Sequence, residues 1–336
     1  MGENREITVR RARADDEDEI VSLLVDVMRR NPQEPNREFY RWKHQQNPFG
    51  QSPSWVAEMD GRIVAFRTLM RWEFQQHGGR EPGSARPLRA VRAVDTVTHA
   101  ACRGRGIFRQ LTMTAVQELR DEGVDFVFNT PNDASMPGYL SMGWSVVGRM
   151  PARLQGPRIT RLARLAGART AAKIWSEPVD VGVPVDALPL PALLEEELEE
   201  QPAEGAEAEP DASTLATVRN VSFLRWRYGF EPLRYRGWPT ADGRAAVVFR
   251  VRMRGAAREL ALLDVVGRRA SVRGSDVRAL VRKAGCDHGL SVGPVGVSRG
   301  LPAGAVGPVL TARDLSRTPP AAVGQWRLSL GDVELF

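Results

Sequence analysis

Residues 91–144 read VRAVDTVTHAACRGRGIFRQLTMTAVQELRDEGVDFVFNTPNDASMPGYLSMGW, and the order of elements in this stretch decides the fold. Val91–Thr98 alternates and is rich in β-branched residues, the pattern of a half-buried strand. Arg103-Gly104-Arg105-Gly106 follows, and Ile107, Leu111, Met113, Val116 and Leu119 then fall at helical spacing up to Glu122. Gly123 ends that helix, and Val124–Phe128 is an apolar run of the length of a buried strand. A second short helix precedes Trp144. A glycine loop that opens onto a helix N-terminus presents unpaired N–H groups beside the positive end of the helix dipole. Such a place holds phosphate.

Upstream, Ile7–Arg10 reads as a first strand, and Ala14-Asp15-Asp16 starts an amphipathic helix with Ile20, Leu23, Leu24, Val27 and Met28 on one face. Phe39–Pro48 is a short aromatic helix ended by Asn47-Pro48. Ser54–Glu58 and Arg62–Met70 form a hairpin turned at Asp60-Gly61. Phe74–Leu88 reads as a polar, Gly/Pro-rich loop beside a substrate site. Downstream, Ser145–Leu154 is expected to be one strand. Residues 155–180 carry a basic amphipathic helix that packs Ile159, Leu162, Leu165 and Ile174. Pro184–Asp211 reads as a solvated linker with at most a short helical piece.

A repeat follows. Phe223–Pro232 aligns without a gap on Phe39–Pro48, and Asp242-Gly243-Arg244 matches Asp60-Gly61-Arg62. Leu260–Val266 matches Val91–Val97, with Asp264 opposite Asp95, and there the match stops: Gly267-Arg268-Arg269-Ala270-Ser271 contains no glycine-arginine loop of the first kind. Ser275–Ala284 is expected to be a helix and Gln325–Phe336 a closing pair of strand segments. Trp42 and Trp226 occur in both copies, which points to packing.

The stretch from 91 to 144 resembles the acyl-CoA-binding core of the GNAT superfamily of N-acetyltransferases. The family signature Arg/Gln-x-x-Gly-x-Gly/Ala meets Arg103 and Gly106 here, with Phe108 where Gly or Ala is usual. Asn132 and Tyr139-x-x-x-Gly143-Trp144 resemble a second family segment in the right order, and the likeness covers residues 5–154. It implies an α+β (mixed α/β) fold of two GNAT-like domains, each a central mixed, mostly antiparallel sheet flanked by helices. The expected division is a catalytic domain at 1–154, a basic helix and acidic linker at 155–212, and a degenerate GNAT-like domain at 213–336.

The resemblance also assigns roles. Amides of Arg103, Gly104, Arg105, Gly106, Ile107 and Phe108 would hold the CoA pyrophosphate, and the backbone of Val97 and Thr98 would pair with the pantetheine arm. Asn129 and Asn132 either donate to the cofactor or serve the turn around Pro131. Tyr139 is the candidate acid that protonates the leaving thiolate, the bland reading being a structural tyrosine under Trp144. Asp95 is a candidate base, although Asp264 in a half without the loop favours a structural role; His99 is the alternative base. Direct transfer gives Cys102 no part.

The chain carries a net charge of +6; Leu194–Asp211 holds nine acidic residues and no basic one, −9, which leaves +15 elsewhere. A basic body suits an anionic ligand such as CoA, but only three of the basic residues are lysines, a compositional bias toward arginine, so nucleic acid is not an expected partner. Two cysteines make no disulfide framework, and four scattered histidines suggest no metal site. No apolar run suits a membrane span and the start lacks a secretory signal, so the expected compartment is the cytoplasm. The expected activity is transfer of an acetyl group from acetyl-CoA, as cosubstrate, directly to a primary amine of an amino sugar or small natural-product or polysaccharide precursor. The second half would shape the acceptor site or a homodimer interface. The alternatives are an aminoacyl-tRNA-dependent transferase and a non-catalytic acyl-CoA-binding scaffold.

Overall fold

The computed structural model of the chain describes residues 6–77, 87–156, 171–200, 214–293, 300–303 and 307–334. Strand β1 (Thr8–Arg11) leads through a 3-10 turn at Ala14–Asp16 into α1 (Glu17–Val27), whose Ile20, Leu23 and Leu24 are buried. Helix α2 (Asn36–His44) precedes the hairpin β2 (Ser54–Met59) and β3 (Arg62–His77). Asp60 and Gly61 at its turn both have positive φ, as a two-residue hairpin requires. Next come β4 (Leu88–Thr98), α3 (Ile107–Asp121), β5 (Phe126–Asn129), α4 (Met136–Ser141) and β6 (Ser145–Arg149). Strands β1 to β4 pair antiparallel in order, and β5 joins β4 in parallel, the α3 crossover making that sense unavoidable.

Of the expected loop at Phe74–Leu88, Phe74–His77 and Leu88 belong to strands, and residues 78–86 lie outside the described residues. Phe74 is fully buried and pairs with Leu88 and with Thr217, so apolar burial outweighs the polar neighbours up to His77. Ser145–Leu154 is two strands, because Pro151 has no N–H to continue a ladder. After it, β7 (Ala152–Gln155) crosses into the second sheet.

The second half contributes β8 (Val183–Pro184), α5 (Leu190–Glu199), β9 (Thr214–Thr217), α6 (Val221–Tyr228), β10 (Arg236–Pro239), β11 (Ala245–Arg254) and β12 (Ala257–Gly267). It continues with α7 (Gly274–Lys283), β13 (His288–Val292), β14 (Leu301–Pro302), β15 (Val309–Asp314), β16 (Trp326–Arg327) and α8 (Leu330–Val333). The second sheet runs β14-β7-β13-β12-β11-β10-β8. Its β10, β11, β12, α7 and β13 follow one another with the pairing senses of β2, β3, β4, α3 and β5. Strand β15 returns to the first sheet and inserts between β5 and β6, antiparallel to both. The two halves therefore exchange strands, β7 one way and β15 the other, and the sheets do not divide at residue 154.

The repeated helices meet face to face. The Trp42 indole N–H donates to the Trp226 carbonyl at 2.6 Å, and Trp226 returns the bond to the Trp42 carbonyl at 2.7 Å. Their rings lie 5.8 Å apart at 30°. Such reciprocity marks a local two-fold relation between α2 and α6.

Two further expectations need correction. The linker is partly a three-turn helix, α5, that buries Leu190 and Leu193. Three of its acidic residues are docked: Glu196 pairs with Arg244 at 2.8 Å, Glu197 with Arg219 at 3.3 Å, and Glu200 accepts from the Arg269 and Ala270 N–H groups. The tail is not a strand pair; beyond Trp326–Arg327, the Ser329 N–H donates to Asp332 at 2.6 Å and caps α8. Of the expected basic helix, Ile159, Leu162 and Leu165 lie outside the described residues, while residues 171–180 are not helical: Ala172 bridges to Arg254 and Ile174 packs against the core.

Candidate active site

Strands β4 and β5 pair only through Ala90–Arg92 and Phe126–Phe128, and then part. The cause is visible on the other side of β4. Phe66 pairs with Val97 but Thr68 with Val94, so Asp95 and Thr96 form a bulge opposite Arg67, and Asp95 takes the left-handed φ of 38°. The bulge turns the end of β4 away from β5. A cavity of about 880 Å³ lies in and beyond the opening, with Val97, Thr98, Asn129, Asn132 and Tyr139 in its lining.

On one side stand Arg103 and Phe108, the residues of the glycine loop that line the cavity. Gly104 and Gly106 have φ of 77° and 75°, and nothing lies within 4 Å of where a Cβ would stand on either. Helix α3 starts at Ile107 with Gly106 at its N-cap and no side chain bonded to its first N–H groups. A loop of this build, beside the Arg103 guanidinium at the cavity edge, suits a phosphate-bearing ligand. Ile107 and Val97 bury their side chains in the core, so only their backbones can serve a ligand. Arg105 reaches toward the Met59 sulfur at 3.7 Å and is not part of the cavity wall. Phe108 swings its ring edge-on to Tyr139, 5.5 Å between centroids at 88°, and a Cβ on Gly138 would meet that ring at 2.9 Å. Gly138 is thus what makes room for the large residue at this place in the loop.

Tyr139, on α4, is 5% exposed and packs on Trp144 at 5.1 Å. Its hydroxyl accepts a hydrogen bond from Arg67 Nη1 at 2.7 Å. Asn129 ends β5 and its side-chain oxygen accepts from the Thr311 hydroxyl of β15 at 2.6 Å, which leaves the amide NH2 as the half that can donate to a ligand. Asn132 lines the cavity too, but its side-chain oxygen accepts from the Ser135 N–H at 2.9 Å and fixes the turn into α4.

Asp95 lies at the cavity floor in a buried charge cluster. Lys43 Nζ is 2.7 Å from its carboxylate, His44 Nε2 2.8 Å and Arg30 3.6 Å. Burial alone would raise the Asp95 carboxyl, yet Lys43, the His44 hydrogen bond and Arg30 together hold it well below the usual carboxylate range. Burial pushes Lys43 down to about 8 against the pull of Asp95, and pushes His44 down as well. The second half repeats the arrangement: Tyr228, the counterpart of His44, donates to Asp264 at 2.9 Å, and Arg219 stands 3.3 Å from it. A carboxylate so tightly paired is a poor proton acceptor and a good tie between α2 and the bulged strand. His99 is exposed, accepts from the Ala101 N–H at 3.4 Å, and stands outside the cavity lining. The structure thus gathers Tyr139 and Asp95 and leaves His99 apart.

Sequence reasoning missed Arg67, although a single arginine inside the apolar run Ile63–Met70 was the available signal. It also missed the far wall of the cavity, to which Arg252, Arg254, Val333 and Glu334 contribute. Arg252 and Arg254 converge on the buried Glu259 at 2.6 and 2.7 Å, and Glu259 lies 3.1 Å from His288. Arg92 donates to the carbonyls of Asp332 and Val333, joining β4 to the end of α8.

The family model described as an acetyltransferase (GNAT) domain matches residues 8–147. Those residues form a GNAT acetyltransferase domain. Among solved structures, a GCN5-related N-acetyltransferase from Anabaena variabilis superposes with a TM-score of 0.60 at 11% identity, over 92% of this chain and 73% of that one. A probable N-acyltransferase from Enterococcus faecalis gives 0.58 at 11% identity, over 93% and 73%. A GCN5-related N-acetyltransferase from Kribbella flavida gives 0.53 at 16%, over 93% and 72%. No curated protein matches the chain. The shared fold therefore runs through both sheets. The GNAT domain supplies the glycine loop, the opening between β4 and β5, and Tyr139. Thr311 and the arginine wall lie beyond its end, so the cavity is composite.

Proposed function

We propose that the chain moves an acetyl group from acetyl-CoA to a small primary amine by direct attack. The observation that carries this reading is one cavity lined by Tyr139, by Val97 and Thr98 at the parted end of β4, and by Arg103 and Phe108, which flank the left-handed glycines Gly104 and Gly106 before α3. The loop amides and Arg103 would hold the pyrophosphate, and the unpaired edge of Val97–Thr98 the pantetheine arm. The amine nitrogen attacks the thioester carbon, the C–S bond breaks with its electron pair on sulfur, and Tyr139 gives the sulfur its proton. Asp95 is too firmly ion-paired to act as base, so the proton shed by the amine leaves through water and returns to the tyrosine.

The acceptor enters between the GNAT domain and the wall of Arg252 and Arg254. The second half is a GNAT-like unit without cofactor chemistry. Its loop after β12 is capped by the chain's own Glu200, at 3.0 and 2.8 Å from the Arg269 and Ala270 N–H groups, which supports a structural role.

Thiol released from acetyl-CoA, followed with a chromogenic disulfide against a panel of amino sugars, diamines and amino acid amides, tests the reading. Release above the protein-free rate with at least one amine is expected. Bound acetyl-CoA with no release from any amine would leave a carrier or scaffold instead.

A further inference from the structure

Arg67 is a buried charge with an unusual set of partners. Its side chain lies on β3 behind Thr96 and Tyr139 and is fully buried. One terminal nitrogen, Nη1, donates to the Tyr139 hydroxyl at 2.7 Å and to the Thr96 hydroxyl at 2.5 Å. Nε and Nη2 have no hydrogen-bond partner among the described residues. The guanidinium also sits 5.4 Å from the centre of the Tyr139 ring and 5.8 Å from that of Phe108. Other buried arginines here are matched by a carboxylate, as Arg250 is by Glu334 at 3.1 Å and Arg252 by Glu259 at 2.6 Å, or donate to backbone carbonyls, as Arg92 and Arg227 do. Arg67 forms no ion pair among the described residues; its bonded partners are two neutral hydroxyls.

Burying a cation without an anion costs several kcal/mol. The arrangement makes sense where negative charge develops during turnover. We propose that Arg67 is a positioning residue for the acid step, acting through Tyr139; the inference rests on the acetyl-transfer reading above. Its N–H engages a lone pair of the phenol oxygen. An arginine accepts no hydrogen bond, so the phenol O–H is turned away from it, toward the cavity. When that proton passes to the sulfur, the oxygen left behind is a phenolate 2.7 Å from a fixed, buried guanidinium. The unmatched cation thus gains its anion only during turnover. The proton lost by the attacking amine then restores the phenol, and no net charge is created. Thr96, held by the same nitrogen at the bulge, fixes the guanidinium to the strand that parts from β5.

A double-mutant cycle tests this, with hydroxylamine as a small acceptor and saturating acetyl-CoA. Arg67→Met is expected to lower kcat by about 10²-fold with the KM for acetyl-CoA within about threefold. In the Tyr139→Phe background the same change is expected to matter by less than about threefold, since Arg67 acts only through the phenol. Arg67→Lys, which keeps the charge, is expected to recover part of the rate. Arg67→Gln replaces the methionine variant if that one does not fold. An equal loss from Arg67→Met in both backgrounds, or a raised KM with kcat intact, would overturn the proposal and leave Arg67 a packing residue. A wild type that releases no thiol, or Tyr139→Phe as fast as wild type, would instead bring down the acetyl-transfer reading, and this inference with it.

Discussion

Tyr139→Phe is expected to slow acetyl transfer by about 10²–10³-fold, the usual worth of a positioned general acid. The affinity for acetyl-CoA, measured by calorimetry, should stay within about threefold of wild type. The ring keeps its edge-on contacts with Trp144 and Phe108, so the aromatic packing of α4 survives the change. What disappears is the proton donor to the departing sulfur. The variant also leaves the buried Arg67 N–H with one partner fewer, worth about 1–3 kcal/mol of stability. Rates should therefore be compared well below the melting temperature. Undiminished kcat with a lowered melting point would return Tyr139 to a structural role.

Asp95→Ala is expected to destabilise the protein by about 3–5 kcal/mol, because it leaves Lys43 and Arg30 buried without their anion. Thermal unfolding followed by circular dichroism reads this as a large drop in melting temperature. A companion double variant, Lys43→Met with Asp95→Leu, should recover much of the loss, since it removes the pair rather than half of it. The pH dependence has a definite sign. Asp95 is held below its ordinary range in the fold, so its contribution is present above the ordinary carboxylate range and is lost as pH falls through the acid range. Lys43 is displaced downward to about 8 from its ordinary 10.5, so its burial penalty is relieved as pH rises between those values. Asp95→Ala should lose the share of the acid limb that belongs to Asp95. A variant that melts with wild type would show that the cluster does not hold the bulge.

The part of this architecture that was legible is the part written locally. Strand, glycine loop, helix, strand and short helix from Val91 to Trp144 each carry their own spacing and breakers, and each occurs with ends shifted by at most a few residues. The repeat of Phe39–Pro48 in Phe223–Pro232 was legible for the same reason, and it surfaces as the reciprocal bonds of Trp42 and Trp226. Strand β15 was not. Thr311 meets Asn129 across nearly the whole second half of the chain, and nothing near Val309–Asp314 in sequence announces the partner. The start of the acidic stretch misled because Glu196, Glu197 and Glu200 are met by Arg244, Arg219 and the loop after β12, residues that sequence distance hides. At the tail, Ser329 and Asp332 spell a readable cap inside a stretch expected to be strand segments. Arg67 shows the limit on the site itself: composition gives one arginine among many, and only the fold places it behind Tyr139 without an ion partner.

Calorimetric titration of acetyl-CoA into the wild type and into Gly106→Asp tests the central claim most directly. A Cβ at Gly106 meets no atom of the described residues within 4 Å, and Asp tolerates the left-handed conformation at a strain of about 1–2 kcal/mol, so the fold should survive. Its carboxylate would stand at the N-terminus of α3, where the phosphates are to bind, and repel them. The account predicts one acetyl-CoA per wild-type chain and binding weakened by at least about 100-fold in the variant. Two sites per chain, or equal binding by both proteins, would contradict it.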